Sequence, residues 1–241
     1  MHGLILAGGE GSRLAADGVA VPKALIDVAG RPQVVELAGT LTESGCRSVT
    51  IMVRAGFVAQ VRDAVAGAGL RQVTTESCLT PSSLHTLAAG LGAVPPGAVV
   101  CAMVDTVMPR ADWSAVVAGI RRGLSRDRAM VLAVTEYVAD ESPLWVERDA
   151  AGDVMRLGPE PVSPPCVTGG VYGLSPAARI LAQEAPGQGL ERMRHFLRWA
   201  VDRGMRVGSV SVPRIIDLDR RDDLEQARAW LAPTVPQNSS A

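Results

Sequence analysis

The residues best suited to chemistry lie near the start of the chain, where a short apolar run is followed at once by glycines. Residues 3–7 are typical of a buried strand, and Gly8, Gly9 and Gly11 follow within four positions. Glycines let the backbone turn sharply and bring several N–H groups close to one anion. The spacing differs from that of dinucleotide-binding and Walker loops. The segment therefore predicts a phosphate-binding loop of another type, with a plain tight turn as the alternative.

Two cations follow this loop. Arg13 comes directly after it, and Lys23 stands ten residues further on, between Pro22 and Ala24. The arginine fork can hold two phosphate oxygens, and a lysine supplies a compact positive charge. Lys23 is the only lysine among 24 basic residues. An exposed surface charge remains an alternative for Arg13 but explains Lys23 poorly, since this chain uses arginine everywhere else.

Two aspartates are candidates for the opposite charge. Asp105 follows the apolar run 98–104, which is typical of a central strand covered on both faces. Ligands gather at the carboxyl ends of strands in open α/β sheets, so we expect Asp105 to face a cleft rather than to cap a helix. Asp217 is expected to face the same cleft. Asp219 is its rival, but we expect it to be the N-cap of the last helix.

The elements that must position these residues alternate along the first half of the chain. Strand-like and helix-like segments alternate up to about residue 135, and a hairpin turn at 149–153 marks the change to a second half richer in strands. This pattern predicts an α/β fold with a three-layer, doubly wound, mixed sheet. We expect one domain over residues 1–232, with halves at about 1–135 and 136–232, and a disordered tail at 233–241.

Composition excludes several classes of protein. The chain has 241 residues, 47% hydrophobic and 20% charged, and a net charge of −1, so a nucleic-acid partner is not expected. No apolar stretch approaches the roughly 18 residues of a membrane span. The cysteines are scattered without paired spacing and are expected to be reduced core residues: Cys46, Cys78, Cys101 and Cys166. We expect a soluble, cytoplasmic protein, and a homo-oligomer is compatible with the sequence.

The opening of the chain resembles a known family. The run Leu6–Leu14 and the run Pro22–Leu25, with ten residues from arginine to lysine, resemble the signature of nucleotidyltransferases of the sugar-1-phosphate type. Molybdenum-cofactor and methylerythritol-phosphate relatives place the two charges closer together. The spacing therefore favours the sugar-phosphate branch and the related phosphocholine or phosphonate cytidylyltransferases. The resemblance continues in four further segments: residues 26–32, 146–154, 168–175 and 217–224.

The resemblance implies a nucleotidyltransferase fold of Rossmann-like, GT-A-like type, whose first half binds nucleotide and whose second half binds the acceptor. It implies Arg13 and Lys23 as catalytic residues, and Asp105 and Asp217 as ligands of Mg²⁺. The residues implied for the nucleotide are Leu6, Ala7, Gly8, Gly9, Gly11, Ser12, Ser82 and Ser83. Those implied for the acceptor are Glu160, Gly169 and Gly170.

The sequence departs from the family at two places. Ser82-Ser83-Leu84 replaces a Gly-Thr-x-Gly run, and the serines have helix capping as an alternative role. Glu160 is followed by proline, without the lysine that binds the acceptor phosphate in the family. One of four arginines substitutes for that lysine, or the acceptor is unusual: Arg148, Arg156, Arg192 and Arg194. For Gly169 and Gly170, a β-bulge is the alternative to close approach of the acceptor ring.

The expected reaction is the Mg²⁺-dependent transfer of a nucleoside monophosphate from an NTP to a sugar 1-phosphate or similar phosphorylated acceptor, with release of pyrophosphate. Two alternatives stay open. One is a cytidylyltransferase for a phospho-alcohol or a phosphonate. The other is a catalytically idle regulatory subunit of the same fold, whose hallmark would be the loss of Arg13, Lys23, Asp105 or Asp217, and all four are present.

Overall fold

The computed structural model describes residues 1–139 and 141–232, so the predicted tail at 233–241 lies outside the described residues. The strands are β1 (His2–Ala7), β2 (Val49–Arg54), β3 (Val73–Cys78), β4 (Val99–Met103), β5 (Thr106–Val107), β6 (Met130–Thr135), β7 (Trp145–Arg148), β8 (Val154–Gly158), β9 (Val167–Leu174), β10 (Val207–Val212) and β11 (Ile216–Asp217). The helices are α1 (Ser12–Ala16), α2 (Gln33–Glu43), α3 (Val58–Gly67), α4 (Ser83–Ala93), α5 (Arg110–Leu124), α6 (Pro176–Glu184), α7 (Met193–Asp202) and α8 (Arg221–Leu231).

Seven of the strands form the main path of a mixed sheet in the order β10-β6-β9-β4-β1-β2-β3. β1 runs parallel to β2 and β4, whereas β9 runs antiparallel to β4 and β6. The hairpin of β7 and β8 joins this sheet beside β9. Parallel pairing of β1 and β4 brings the carboxyl ends of both strands to the same edge of the sheet. At this edge the glycine loop follows β1, and Asp105 follows β4.

Helices cover both faces of the sheet, because its central strands are apolar on both sides. One buried cluster joins the sheet to α4, α6 and α7, and a second joins its other face to α2, α3 and α5. Leu4 and Ile5, adjacent in β1, point into different clusters and are 0% exposed. The three-layer, mixed α/β fold predicted from the sequence is confirmed.

A smaller unit sits at the carboxyl edge of the main sheet. β5 and β11 pair antiparallel, with Asp217 opposite Thr106. A third apolar cluster beneath α8 includes Leu14 of α1, Ile26, Val107 of β5 and Leu218. This cluster ties together four segments that are distant in sequence, and each of them carries a charged residue of the candidate site.

Within the described residues, no helix has both the length and the apolar character that crossing a bilayer demands. All four cysteines are buried and unpaired, as predicted. Burial raises the pKa of the Cys46 thiol to about 11 and raises that of Cys101 as well, so both stay protonated at neutral pH.

Candidate active site

The glycine loop connects the buried strand β1, which contains Leu6 and Ala7, to α1, which begins at Ser12. Gly11 has a φ of +63°, a backbone conformation that favours glycine. A Cβ on Gly8 would lie 2.9 Å from the Cys78 sulfur, so this glycine allows the loop to pack against β3 and α4. Gly9 has open space around it, which leaves its backbone accessible to a ligand.

Lys23 lies at the centre of the charged cluster. Its Nζ donates to Asp105 Oδ2 and to Asp219 Oδ1, both at 2.9 Å. The side chain is 12% exposed, whereas that of Asp219 is 40% exposed. Arg13 donates from its guanidinium to Asp219 Oδ2, also at 2.9 Å, and is 55% exposed. The two predicted cations are therefore brought together by a single aspartate.

The electrostatics keep Lys23 charged. Burial by itself disfavours the ammonium form, but the negative charge and hydrogen bond of Asp105, followed by those of Asp219, outweigh it. The net effect raises the pKa of Lys23 above its ordinary value. A cation with little solvent around it is thus available at neutral pH.

Asp105 and Asp217 come together through the small β5–β11 sheet. The backbone N–H of Leu218 donates to the carbonyl of Asp105 at 3.0 Å, and the Thr106 hydroxyl donates to Asp217 Oδ1 at 3.2 Å. Thr106 is fully buried, so it fixes the orientation of the Asp217 carboxylate. Across residues 1–139 and 141–232, no group of three or more His, Cys, Asp and Glu side chains is arranged to hold a metal ion.

The expectation that Asp219 caps the last helix is wrong. α8 begins at Arg221, with Arg220 as its N-cap. The side chain of Asp223, in the first turn, reaches back to the residues before the helix: its Oδ2 accepts from the backbone N–H of Arg220 at 2.7 Å and from that of Asp219 at 3.1 Å. The Asp219 carboxylate is therefore free to turn towards Arg13 and Lys23.

Ser82 and Ser83 lie at the start of α4. Ser82 is the N-cap, and its hydroxyl accepts from the backbone N–H of His85 at 3.5 Å and lies 2.9 Å from His85 Nδ1. The capping role that the sequence allowed is thus present. Both serines also line a cavity shared with Asp105, so capping does not exclude contact with a ligand.

Two cavities meet at the carboxylates. The first, of about 370 Å³, is called the α7 cavity and is lined by Ser82, Ser83, Met103, Asp105, Leu144, Thr168, Gly170, Tyr172, Arg192, Met193, Arg194, Leu197, Asp217 and Asp219. The second, of about 360 Å³, is called the α8 cavity and is lined by Arg13, Thr135, Tyr137, Ala139, Glu141, Pro143, Val167, Thr168, Gly169, Ile215, Ile216, Asp217, Asp219, Arg220, Asp222 and Asp223. Thr168, Asp217 and Asp219 line both cavities.

The glycines expected at the acceptor lie in a bulge of β9, where its register against β6 shifts. Gly170 has a φ of +52°, and a Cβ there would overlap Thr106 Oγ1. A Cβ on Gly169 would overlap the side chain of Ile215. Both glycines are thus required by packing within the protein, although each lines a cavity. Glu160 lines neither the α7 nor the α8 cavity.

The roles of two site residues are not predicted by the sequence. Asp219 is expected only as a rival of Asp217 or as a helix cap, whereas the structure places its carboxylate against both Arg13 and Lys23. Tyr172 lies in the floor of the α7 cavity and is 7% exposed. Burial, and then the charge of Asp217, raises the pKa of Tyr172, so its hydroxyl stays neutral. No spacing marked Tyr172, because a tyrosine in an apolar strand is normally a core residue.

A glycine loop followed by two cations, with aspartates at the carboxyl edge of a doubly wound sheet, is the arrangement expected of a nucleotidyltransferase. The chain belongs to the MobA-like NTP transferase domain family, whose model matches residues 3–198. No curated protein matches it.

Solved structures share the fold over nearly the whole chain. One is the inositol-1-phosphate CTP transferase from T. maritima, with a TM-score of 0.77 and 15% identity, covering 97% of both chains. Another is a putative glucose-1-phosphate thymidylyltransferase from Bacillus anthracis in complex with a sucrose, with a TM-score of 0.79 and 16% identity, covering 98% of this chain and 96% of that one. At such identities the likeness establishes the fold.

Proposed function

We propose that this chain transfers a nucleoside monophosphate from an NTP to a sugar 1-phosphate or a similar phosphorylated acceptor, with Mg²⁺, and releases pyrophosphate. The observation that carries the proposal is the position of Lys23, a poorly solvated cation held between Asp105 and Asp219 beside the glycine loop. The named activities of the two solved relatives, a CTP transferase for inositol 1-phosphate and a putative thymidylyltransferase for glucose 1-phosphate, support the acceptor class.

The reaction needs no general base, because the dianion of a phosphate monoester is already a nucleophile. An acceptor phosphate oxygen forms a bond to the α-phosphorus, and the bond from that phosphorus to the β-phosphate oxygen breaks. Lys23 neutralises charge that builds on the α-phosphate, while Arg13 and the loop N–H groups of Gly9, Gly11 and Ser12 hold the departing pyrophosphate. Fixed positive groups of this kind supply most of the catalysis in phosphoryl transfer.

Asp105 and Asp217 fit a magnesium ion, since both carboxylates face the α7 cavity and Mg²⁺ takes one or two carboxylates with phosphate oxygens and water. Bound Mg²⁺ would neutralise phosphate charge and orient the reacting groups. In the same proposal, residues 1–135 bind the nucleotide, with Ser82 and Ser83 near the base, and residues 136–232 bind the acceptor within one domain.

A pyrophosphate-release screen tests the proposal. The four common NTPs and dTTP are each paired, with Mg²⁺, with glucose 1-phosphate, inositol 1-phosphate, phosphocholine and aminoethylphosphonate. Release with a sugar phosphate or inositol phosphate is expected. Release only with CTP and phosphocholine or the phosphonate would establish the cytidylyltransferase alternative, and no release with any pair would support an idle subunit.

A further inference from the structure

Two arginines at the start of α7 stand at the wall of the α7 cavity. Arg192 is the N-cap of α7 and Arg194 is its second residue. Met193, between them, is 7% exposed and packs into the core. The buried methionine anchors the backbone between two exposed arginines, and both arginines line the cavity that contains Asp105 and Asp217.

These arginines differ from the other two candidates for the missing acceptor lysine. Arg156 pairs with Glu147 on the exposed hairpin at 2.8 Å, and Arg148 donates to Ser211 at 2.5 Å; neither lines the α7 cavity. Arg194 donates to the Ser142 carbonyl at 3.1 Å. Over residues 1–139 and 141–232, neither Arg192 nor Arg194 forms a salt bridge.

The in-line geometry of the transfer decides which cavity receives the acceptor. In phosphoryl transfer the attacking and leaving oxygens lie roughly in line, on opposite sides of the phosphorus. Arg13, which is proposed to hold the leaving pyrophosphate, lines the α8 cavity and not the α7 cavity. The acceptor phosphate therefore approaches from the α7 side of the carboxylates.

We propose that Arg192 and Arg194 bind the phosphate group of the acceptor, in place of the lysine that is missing after Glu160. This inference rests on the proposed function. Arginine forks bind phosphate oxygens in pairs, and a dianion arriving near Asp105 and Asp217 needs compensating positive charge. Apart from the three aspartates, the described lining of the α7 cavity contains no carboxylate to compete for these guanidinium groups.

The test uses Arg192→Gln and the double variant with Arg194→Gln. Arg198→Gln is the matched control, because Arg198 is an exposed arginine on the same helix and does not line the cavity. We expect the acceptor KM to rise by about 10- to 100-fold in the first two variants. Arg192→Lys should recover part of the loss. Affinity for a non-hydrolysable NTP analogue should stay unchanged in all of them.

An unchanged acceptor KM in Arg192→Gln and in the double variant would overturn the inference, as would an equal loss of analogue affinity. If the wild-type protein releases pyrophosphate with no pair of substrates, the proposed function itself fails. Calorimetry with inorganic phosphate then decides the inference separately. Weaker binding in the double variant than in Arg198→Gln supports it, and equal binding refutes it.

Discussion

At the scale of single residues, Lys23 occupies a place that arginine does not fill well. Its ammonium group contacts two carboxylates at 2.9 Å, and the side chain is only 12% exposed. A guanidinium is wider and planar, so it cannot occupy the same position without moving Asp105 or Asp219. This geometry explains why one lysine is found in a chain with 23 arginines.

Lys23→Arg is therefore expected to lower kcat by about 10-fold or more, and Lys23→Met by about 100-fold or more. The kcat of each variant is measured by steady-state pyrophosphate release with the best substrate pair. Arg198→Lys is the control, because it makes the reverse exchange on an exposed helical surface. Turnover in Lys23→Arg equal to that of the wild type would show that only the charge matters at this position.

The three aspartates have separable roles. Asp105→Asn and Asp217→Asn should each lower kcat by about 100-fold or more, because each removes a proposed ligand of Mg²⁺. Asp219→Asn should also lower kcat, since Asp219 holds both Arg13 and Lys23. Circular dichroism melts should show folded proteins in all cases. Asp63→Asn, on the exposed face of α3, serves as the control. Near-normal activity in Asp105→Asn or Asp217→Asn would remove the metal assignment.

At the scale of elements, the site depends on how β9 passes beneath the small β5–β11 sheet. The bulge at Gly169 and Gly170 lets β9 stay paired with β4 and β6 while Thr106 packs against it. Thr106 in turn orients Asp217. The glycines therefore support the carboxylates from behind, whatever contact they make with an acceptor.

Gly170→Ala is expected to lower the free energy of unfolding by about 2 kcal/mol or more, because its φ is positive and its new Cβ would overlap Thr106. Urea denaturation gives the value. Gly187→Ala, where nothing lies within 4 Å, should change stability by less than about 0.5 kcal/mol. Equal stability of the two variants would reject the packing explanation and favour a purely ligand-directed role for Gly170.

At the scale of the whole molecule, charges from four distant segments converge on one edge of the sheet. Arg13 and Asp219 are 206 positions apart, and Lys23 and Asp105 are 82 apart. A ligand that bridges such segments binds the folded chain and not the unfolded one. Nucleotide binding must therefore stabilise the whole fold through mass action.

With Mg²⁺, an NTP at about 100 times its Kd should add roughly 2.7 kcal/mol to stability and raise the Tm by about 5–10 °C. EDTA should remove most of this shift, because the proposed carboxylate site then loses its ion. The free nucleoside should produce little shift, since it lacks the phosphates that the loop and cations bind. Differential scanning fluorimetry measures all three conditions. An equal shift with EDTA would contradict the role of Mg²⁺.

The sequence by itself determined the fold class and the family and predicted the main charged residues of the candidate site, because these depend on local patterns. Apolar runs predict strands, glycine spacing predicts a phosphate loop, and the interval from Arg13 to Lys23 is a property of one continuous segment. The element order follows from the same periodicities. The MobA-like family model matches this chain, and the spacing from Arg13 to Lys23 favours the sugar-phosphate branch. Both observations indicate a nucleotidyltransferase.

Only the tertiary structure decided the role of Asp219 and which arginines reach the cavity. Aspartate is a strong N-cap residue, so local preference favours the helix for Asp219, but the helix begins one residue later, with Arg220 at the N-cap. The ion pairs of Asp219 with Arg13 and Lys23 involve partners more than 190 positions away. Likewise, no pattern in the sequence distinguishes Arg192 and Arg194, which line the cavity, from Arg148 and Arg156, which do not. Contacts between distant segments depend on how helices and strands pack, and a local pattern does not contain that information.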